Sequence, residues 1–349
     1  MRIETDKIAS VTRGFKLGRS LTLTPAIEAV SGAVVAARVL NDKPRYNRIE
    51  DVMGRMNAVV AGDIVVGALG WRNALRGYEG VVPESVVPGG TLNLLNLGGV
   101  MGACRSHSPE VGPPFELEIL GQVLNYPVFG SRSARPARVA PAASPVPAKL
   151  PACPVVYVTG SCMNCGKTAA ASALVRHFRR SGLRVAGAKL TGVSLMRDIL
   201  SMRDQGAEWV MDFTDAGAVS TDADNAGSVA HRIFSTLAVH RPDVIVAETG
   251  DGIMGEYGVQ AILGDPALRA LAGAFLYCAN DPVGVAGGIR VFRERYGISV
   301  DMVAGPVTDN RVGTRFVEES LGIAACNALR QTDEFAARVA ACMQERCAA

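Results

Sequence analysis

The sequence predicts an α/β protein in which a parallel-sheet domain carrying a phosphate-binding loop follows a small β-barrel-like domain. Three observations predict it. The apolar run Val155-Val-Tyr-Val158 passes through a glycine-containing turn to Gly166, Lys167 and Thr168, and a helical run begins at once. From Leu183 to Ala304, short β-type runs alternate with helical ones, the pattern of a parallel sheet covered on both faces. Between about residues 30 and 130, short β-type runs are separated by turn signals with no long helical run between them, which suggests a small antiparallel barrel or sandwich.

A chain of 349 residues suggests about two domains. With 48% hydrophobic and 20% charged residues the composition is that of an ordinary globular protein. A formal charge of +3 gives no reason to expect nucleic acid or a membrane surface as a partner. The acidic residues near Met1 do not match a signal peptide, and no stretch reaches the ~20 apolar residues that span a bilayer, so the cytoplasm is the expected location. Eight cysteines are too few for a disulfide scaffold, and in the cytoplasm they would be reduced.

In chain order, residues 1–30 give no firm reading. Ala33–Leu40, Ala58–Val60, Asp63–Leu69 and Thr91–Leu97 read as strands, broken by Asn41-Asp42, Gly62-Asp63 and Pro88-Gly89-Gly90. The glycines of Leu97–Gly102 read as tight barrel corners, with close approach of a ligand phosphate as the alternative. Arg72 and Arg76 read as solvated, or as facing a ligand of the partner domain. The first domain is assigned 1–130. Residues 131–153 are so rich in proline and alanine that they read as a solvated linker. The sheet domain is assigned 154–349, with strands at Leu183–Lys189, Asp243–Glu248, Ala274–Cys278 and Val300–Ala304. Helices are expected at about Leu195–Met211, Ala226–Val239, Val283–Tyr296 and Asp333–Glu345.

The candidate cofactor-binding loop is Gly160, Ser161, Cys162, Met163, Asn164, Cys165, Gly166, Lys167 and Thr168. At a strand-to-helix turn, amides without intrahelical partners and the helix dipole both favour an anion. Lys167 would reach the terminal phosphates and Thr168 would ligate Mg²⁺. Ligands of such sheets sit at the carboxyl ends of the strands, where Lys167, Lys189 and Glu248 would gather. A carboxylate at Glu248, ending Val-Ile-Val-Ala, is costly unless paired or metal-bound. Asp251 reads as a second ligand, a general base or a turn residue. Asp212 and Asp215 could hold Mg²⁺ through water or orient an amine, with turn and capping roles as the alternative. Cys162 and Cys165 form a Cys-x-x-Cys, read mainly as small structural residues with a redox pair as the other possibility. His231 and His240 fit no ligand pattern.

The Gly160–Thr168 loop, the lysine-ended run Gly182–Lys189 and the run Asp243–Gly252 resemble dethiobiotin synthetase and the wider SIMIBI branch of P-loop NTPases over about residues 154–325. The resemblance implies that Lys189 binds phosphate and the nascent carbamate, and that Glu248 helps hold the metal. It also implies that Asp309-Asn310 lies where related folds bind the purine ring, with Asn310 able to pair with a base edge. Cys162 stands where the synthetases carry an acidic residue, Asn164 replaces a glutamate, and Leu190 replaces the usual proline. Gly160–Thr168, Ala188–Gly192 and Asp212–Gly217 further resemble a bacterial family that pairs a small β domain with a P-loop domain. A relative of that family is an acetyl-CoA-dependent N-acetyltransferase of D-amino acids.

The leading functional expectation is an enzyme that uses ATP and Mg²⁺ to activate a small carboxylate or amine, with Lys167, Lys189, Glu248 and Asp251 as its catalytic groups. The alternatives are an acetyl-CoA-dependent N-acyltransferase and a nucleotide-dependent regulatory switch or metallochaperone. The expected partner is a small-molecule substrate, and the SIMIBI resemblance adds a possible homodimer.

Overall fold

The computed structural model describes residues 1–126, 134–140 and 149–348. The chain divides into two compact units. The first comprises Met1–Ala143 together with Val193–Arg197 and Thr214–Ser220; the second comprises Ser144–Gly192, Asp198–Phe213 and Thr221–Ala349.

The first unit closes a barrel. Val34–Val39 pairs with Ile64–Leu69, Ile64–Leu69 with Val100–His107, Val100–His107 with Thr91–Leu94, Thr91–Leu94 with Phe115–Asn125, and Phe115–Asn125 returns to Val34–Val39. One of these pairings, Val100 opposite Ala68 and Met101 opposite Leu69, is parallel, so the barrel is not wholly antiparallel. Alternation along the longest strand buries Phe115, Leu117 and Ile119 and turns Glu116 outward, as a half-buried strand requires. Its register shifts between Ile119 and Gly121. Gly121 has φ +155°, and a Cβ there would lie 2.8 Å from the Thr24 carbonyl, so the bend needs glycine.

In this unit the structure corrects some expectations and agrees with others. The unread first 30 residues contribute the antiparallel strands Arg2–Glu4 and Ser20–Thr24. The glycines of Leu97–Gly102 form a corner and the start of a strand: Gly99 has φ +93°, and a Cβ on it would lie 2.0 Å from that of Ala9. Arg72 is buried rather than solvated, stacked over Tyr46 and Tyr78 and donating to the Tyr46 hydroxyl at 2.8 Å. Part of the expected linker is built into the sheet. Arg135–Pro136 pairs with Leu124 and Asn125, and Ala137 and Val139 are buried. Proline is tolerated there because the pairing is brief and at an edge. The remainder of the expected linker, apart from residues 134–140 and 149–153, lies outside the described residues.

The second unit is an α/β domain built on a six-stranded parallel sheet. The strand order is Trp209–Asp212, Val185–Lys189, Val244–Glu248, Val155–Gly160, Ala272–Cys278, Met302–Ala304. Lys167–Arg180 buries Ala170, Ala171, Leu174, Val175 and Phe178, a stripe at helical spacing, in one core with Val156, Val158, Val244 and Val246 of the sheet. It stops at Ser181, with Gly182 at φ +83°. The helix expected over 195–211 is shorter. It covers Arg197–Asp204, Gly206 takes φ +105°, and Trp209–Asp212 becomes the edge strand beside Val185–Lys189. Among the described residues, no helix is long and apolar enough to cross a membrane.

Candidate functional site

The strand Val155–Gly160 ends in the sheet with Gly160 opposite Cys278, and the Ser161 amide still donates to the Cys278 carbonyl at 2.9 Å. The chain then turns through two left-handed residues, Asn164 at φ +58° and Gly166 at φ +93°, into the helix Lys167–Arg180. Gly166 is the N-cap and no side chain caps the helix. The loop therefore presents the partnerless first-turn amides on which anion binding rests. Gly252 lets a second loop lie against this one, since a Cβ there would be 2.1 Å from the Ser161 carbonyl oxygen. The Lys167 ammonium folds back, donating to the Cys162 carbonyl at 2.6 Å and to the Cys165 sulfur at 3.6 Å.

Next to the loop, sheet register assembles a buried charged cluster. Lys189 stands opposite Glu248 on one side and Asp212 on the other. Its Nζ lies 2.6 Å from Glu248 Oε1 and 2.6 Å from Asp198 Oδ2. Thr168 Oγ1 is 3.0 Å from Glu248 Oε1 and 3.2 Å from Asp198 Oδ1. Glu248 is 1% exposed, and its Oε2 has no hydrogen-bond partner. Burial raises the Glu248 carboxyl above its ordinary value, against the pull of Lys189. Burial alone would lower Lys189, but the carboxylates of Asp198 and Glu248 outweigh it and hold the ammonium firmly protonated.

These donors fit Mg²⁺. The ion is served by one or two carboxylates with phosphate and water oxygens completing its shell. The Thr168 hydroxyl, the partnerless buried Glu248 Oε2 and the Asp198 carboxylate supply hard oxygens at one point. Among the described residues, no three His, Cys, Asp or Glu side chains form an all-protein metal cage.

Asp251 lies in the loop after Glu248 with φ +58°, its carboxyl raised by burial and partly drawn back by Lys167. Asp212 is fully buried beside Lys189 in the sheet. Asp215 is not brought to this cluster. It belongs to the first unit, where Arg13 donates to it through Nε at 3.0 Å and Nη2 at 2.8 Å, so its carboxylate serves an ion pair rather than a metal. Asn310 caps the helix Arg311–Arg315, its side-chain oxygen accepting from the Val312 amide at 2.9 Å. That oxygen is therefore engaged, although Asn310 also lines a cavity of about 610 Å³ with Asp309, Asn327 and Arg330. His231 pairs with Asp265 at 2.7 Å, and His240 stacks on Trp209.

Asp198 is the site residue that sequence reasoning missed. The available signal was an acidic residue in the first turn of a helix shortly after the strand-end Lys189. Glu50 was missed as well: it is fully buried in the first unit, accepting from Ser10 Oγ at 2.5 Å and the Met196 amide at 2.8 Å.

No protein-family model matches the chain, and no curated protein matches it. Among solved structures, the cell division protein FtsY of Thermotoga maritima is similar at 15% identity, over 59% of this chain and 73% of that one, with a TM-score of 0.39. The signal recognition particle receptor FtsY of Elizabethkingia anophelis is similar at 12% identity, over 53% of this chain and 65% of that one, with a TM-score of 0.37. The signal recognition particle 54 kDa protein of Aeropyrum pernix, in complex with GDP, is similar at 16% identity, over 58% of this chain and 48% of that one, with a TM-score of 0.38.

Proposed function

We propose that the second unit binds a nucleoside triphosphate with Mg²⁺ and catalyses phosphoryl transfer, and that the nucleotide is ATP, used to activate a small carboxylate or amine. The observation that carries this reading is the convergence of Thr168, Lys189, Asp198 and Glu248 beside the Gly160–Thr168 loop, with one buried Glu248 oxygen left without a partner.

The roles follow from charge. The loop amides cradle the phosphates, and Lys167 leaves the Cys162 carbonyl to reach their terminal oxygens. Thr168 and Glu248 would hold Mg²⁺, which would supply positive charge against that of the phosphates. Lys189 is a fixed cation at the strand end, held in place by Asp198, and stabilises the negative charge that develops on the transferred group. Asp251, with its raised carboxyl, accepts a proton from the attacking group.

The test is a thermal-shift series on the full chain with ATP, GTP and acetyl-CoA, each with and without Mg²⁺. A ligand at about 100 times its dissociation constant adds about 2.7 kcal/mol. Stabilisation by ATP that requires Mg²⁺ and disappears in Lys167→Ala supports the reading. Equal stabilisation by GTP removes the ATP assignment, and stabilisation by acetyl-CoA alone without Mg²⁺ overturns phosphoryl transfer.

A further inference from the structure

The nucleotide reading gives no role to two side chains of the phosphate loop, those of Cys162 and Cys165. Both sit where an anion-binding loop needs only backbone, and both pack on the same apolar cluster beneath it. A left-handed residue, Asn164 at φ +58°, stands between them in the chain. Lys167 touches both residues, through the Cys162 carbonyl at 2.6 Å and the Cys165 sulfur at 3.6 Å. Their environments differ. Cys162 is half-buried, and its sulfur accepts from Asn280 Nδ2 at 3.2 Å and from the Ser161 hydroxyl at 3.6 Å. Cys165 is fully buried, and its sulfur lies over Gly160 so closely that a Cβ there would be 2.4 Å away. One thiol is reachable from solvent and held by polar donors, while the other is shielded and three residues along.

We propose that Cys162 and Cys165 form a peroxide-sensitive thiol pair, an oxidation site built into the phosphate loop. Cys162 sulfur attacks one oxygen of a peroxide, the O–O bond breaks, and the products are Cys162 sulfenic acid and water or an alcohol. Cys165 sulfur then attacks the sulfenic sulfur, the S–O bond breaks, and the departing hydroxide takes the Cys165 proton to leave as water. The peroxide supplies the oxidant for the net loss of two hydrogens from the thiols. The resulting disulfide pulls the Cys165 sulfur from beside Lys167 and refolds the loop around Asn164. Its consequence for ligand binding rests on the nucleotide reading above: the oxidised loop no longer presents its amides to phosphate, and nucleotide affinity falls.

The experiment uses the full chain, reduced and then treated with hydrogen peroxide, with thiols alkylated and mapped by mass spectrometry. The expected result is an intramolecular Cys162–Cys165 disulfide, reversed by dithiothreitol, formed at least about tenfold faster than modification of the buried Cys278 or Cys326, because access and sulfur environment control thiol oxidation. In Cys165→Ser the reaction stops at a Cys162 sulfenic acid that dimedone traps. Peroxide that leaves Cys162 and Cys165 as alkylatable as the buried thiols overturns the pair, as does a disulfide to another cysteine in preference. Thermal shifts with ATP and Mg²⁺ before and after oxidation separate the two readings. Reduced protein that no nucleotide stabilises refutes the nucleotide assignment, while the mapped disulfide independently decides the thiol pair. Full nucleotide stabilisation of the disulfide form refutes the coupling.

Discussion

Replacing Lys189 by methionine tests the electrostatics of the site most directly. The side chain keeps its length and loses its charge, leaving Asp198 and Glu248 in the cluster without the ammonium that lies 2.6 Å from each. Removing one partner of a buried ion pair costs about 3–5 kcal/mol, because the other charge stays buried. For a domain of this size, where 1 kcal/mol moves the midpoint by about 2–4 °C, that predicts a large fall in melting temperature. The pH dependence has a definite sign. The folded Glu248 carboxyl already lies above its ordinary value because of burial, and Lys189 is what draws it down. Without Lys189 it rises further. A group raised in the folded state stabilises below its unfolded value and loses that contribution as pH rises through the folded value. The Lys189→Met deficit is therefore largest above the raised Glu248 value and shrinks as pH falls toward the ordinary glutamate value of about 4.3, Glu248 having taken up its proton on the way down. Urea unfolding at about pH 5 and about pH 8 measures both ends. Combining Lys189→Met with Glu248→Gln removes the stranded carboxylate and recovers most of the loss at the higher pH. A deficit equal at both pH values, or a double variant no better than the single one, refutes the argument.

Three further outcomes follow from other contacts. Gly160→Ala places a methyl 2.4 Å from the Cys165 sulfur and costs about 1–3 kcal/mol by overpacking; adding Cys165→Ala recovers most of it in urea midpoints. Glu50→Ala in the first unit strands the Ser10 hydroxyl and the Met196 amide. It costs about 1–3 kcal/mol, whereas Glu50→Gln keeps an acceptor and loses visibly less. Asp243 is held down to about 2 by hydrogen bonds from Arg184. Its contribution is present above the ordinary aspartate range and lost as pH falls toward about 2. Carboxyl NMR of the parent therefore titrates near that value, and Arg184→Ala returns it toward ~3.9.

The strand-to-helix loop Gly160–Thr168 and the strand-end positions of Lys189 and Glu248 were legible because local chemistry marks them. A β-type run that ends in glycine, lysine and threonine before a helical stripe has few other readings, and a lysine or glutamate closing an apolar strand is conspicuous by its cost. What the sequence did not expose are relations set by register and by packing between distant segments. Lys189 meets Glu248 across 59 residues because their strands align, and only that alignment makes Asp198 the third member of the cluster. Asp212 and Asp215 look alike in a glycine-containing run, yet one is buried beside Lys189 and the other answers Arg13 across 202 residues. The same limit hid the edge strand Trp209–Asp212. Its four residues have no alternation strong enough to overrule the helical run before them, and hydrogen bonding to Val185–Lys189 decided the matter.

Site and sheet are thus joined at a single structural fact. Parallel register delivers Lys189 and Glu248 to the same level, Glu248 one strand and Lys189 two strands from Val155–Gly160, which feeds the loop. A shift of one residue in either strand would send Lys189 or Glu248 to the opposite face and dissolve the cluster. The strand residues between Val185 and Ala188, all fully buried and carrying no chemistry themselves, are therefore as necessary to the arrangement as the charges they position.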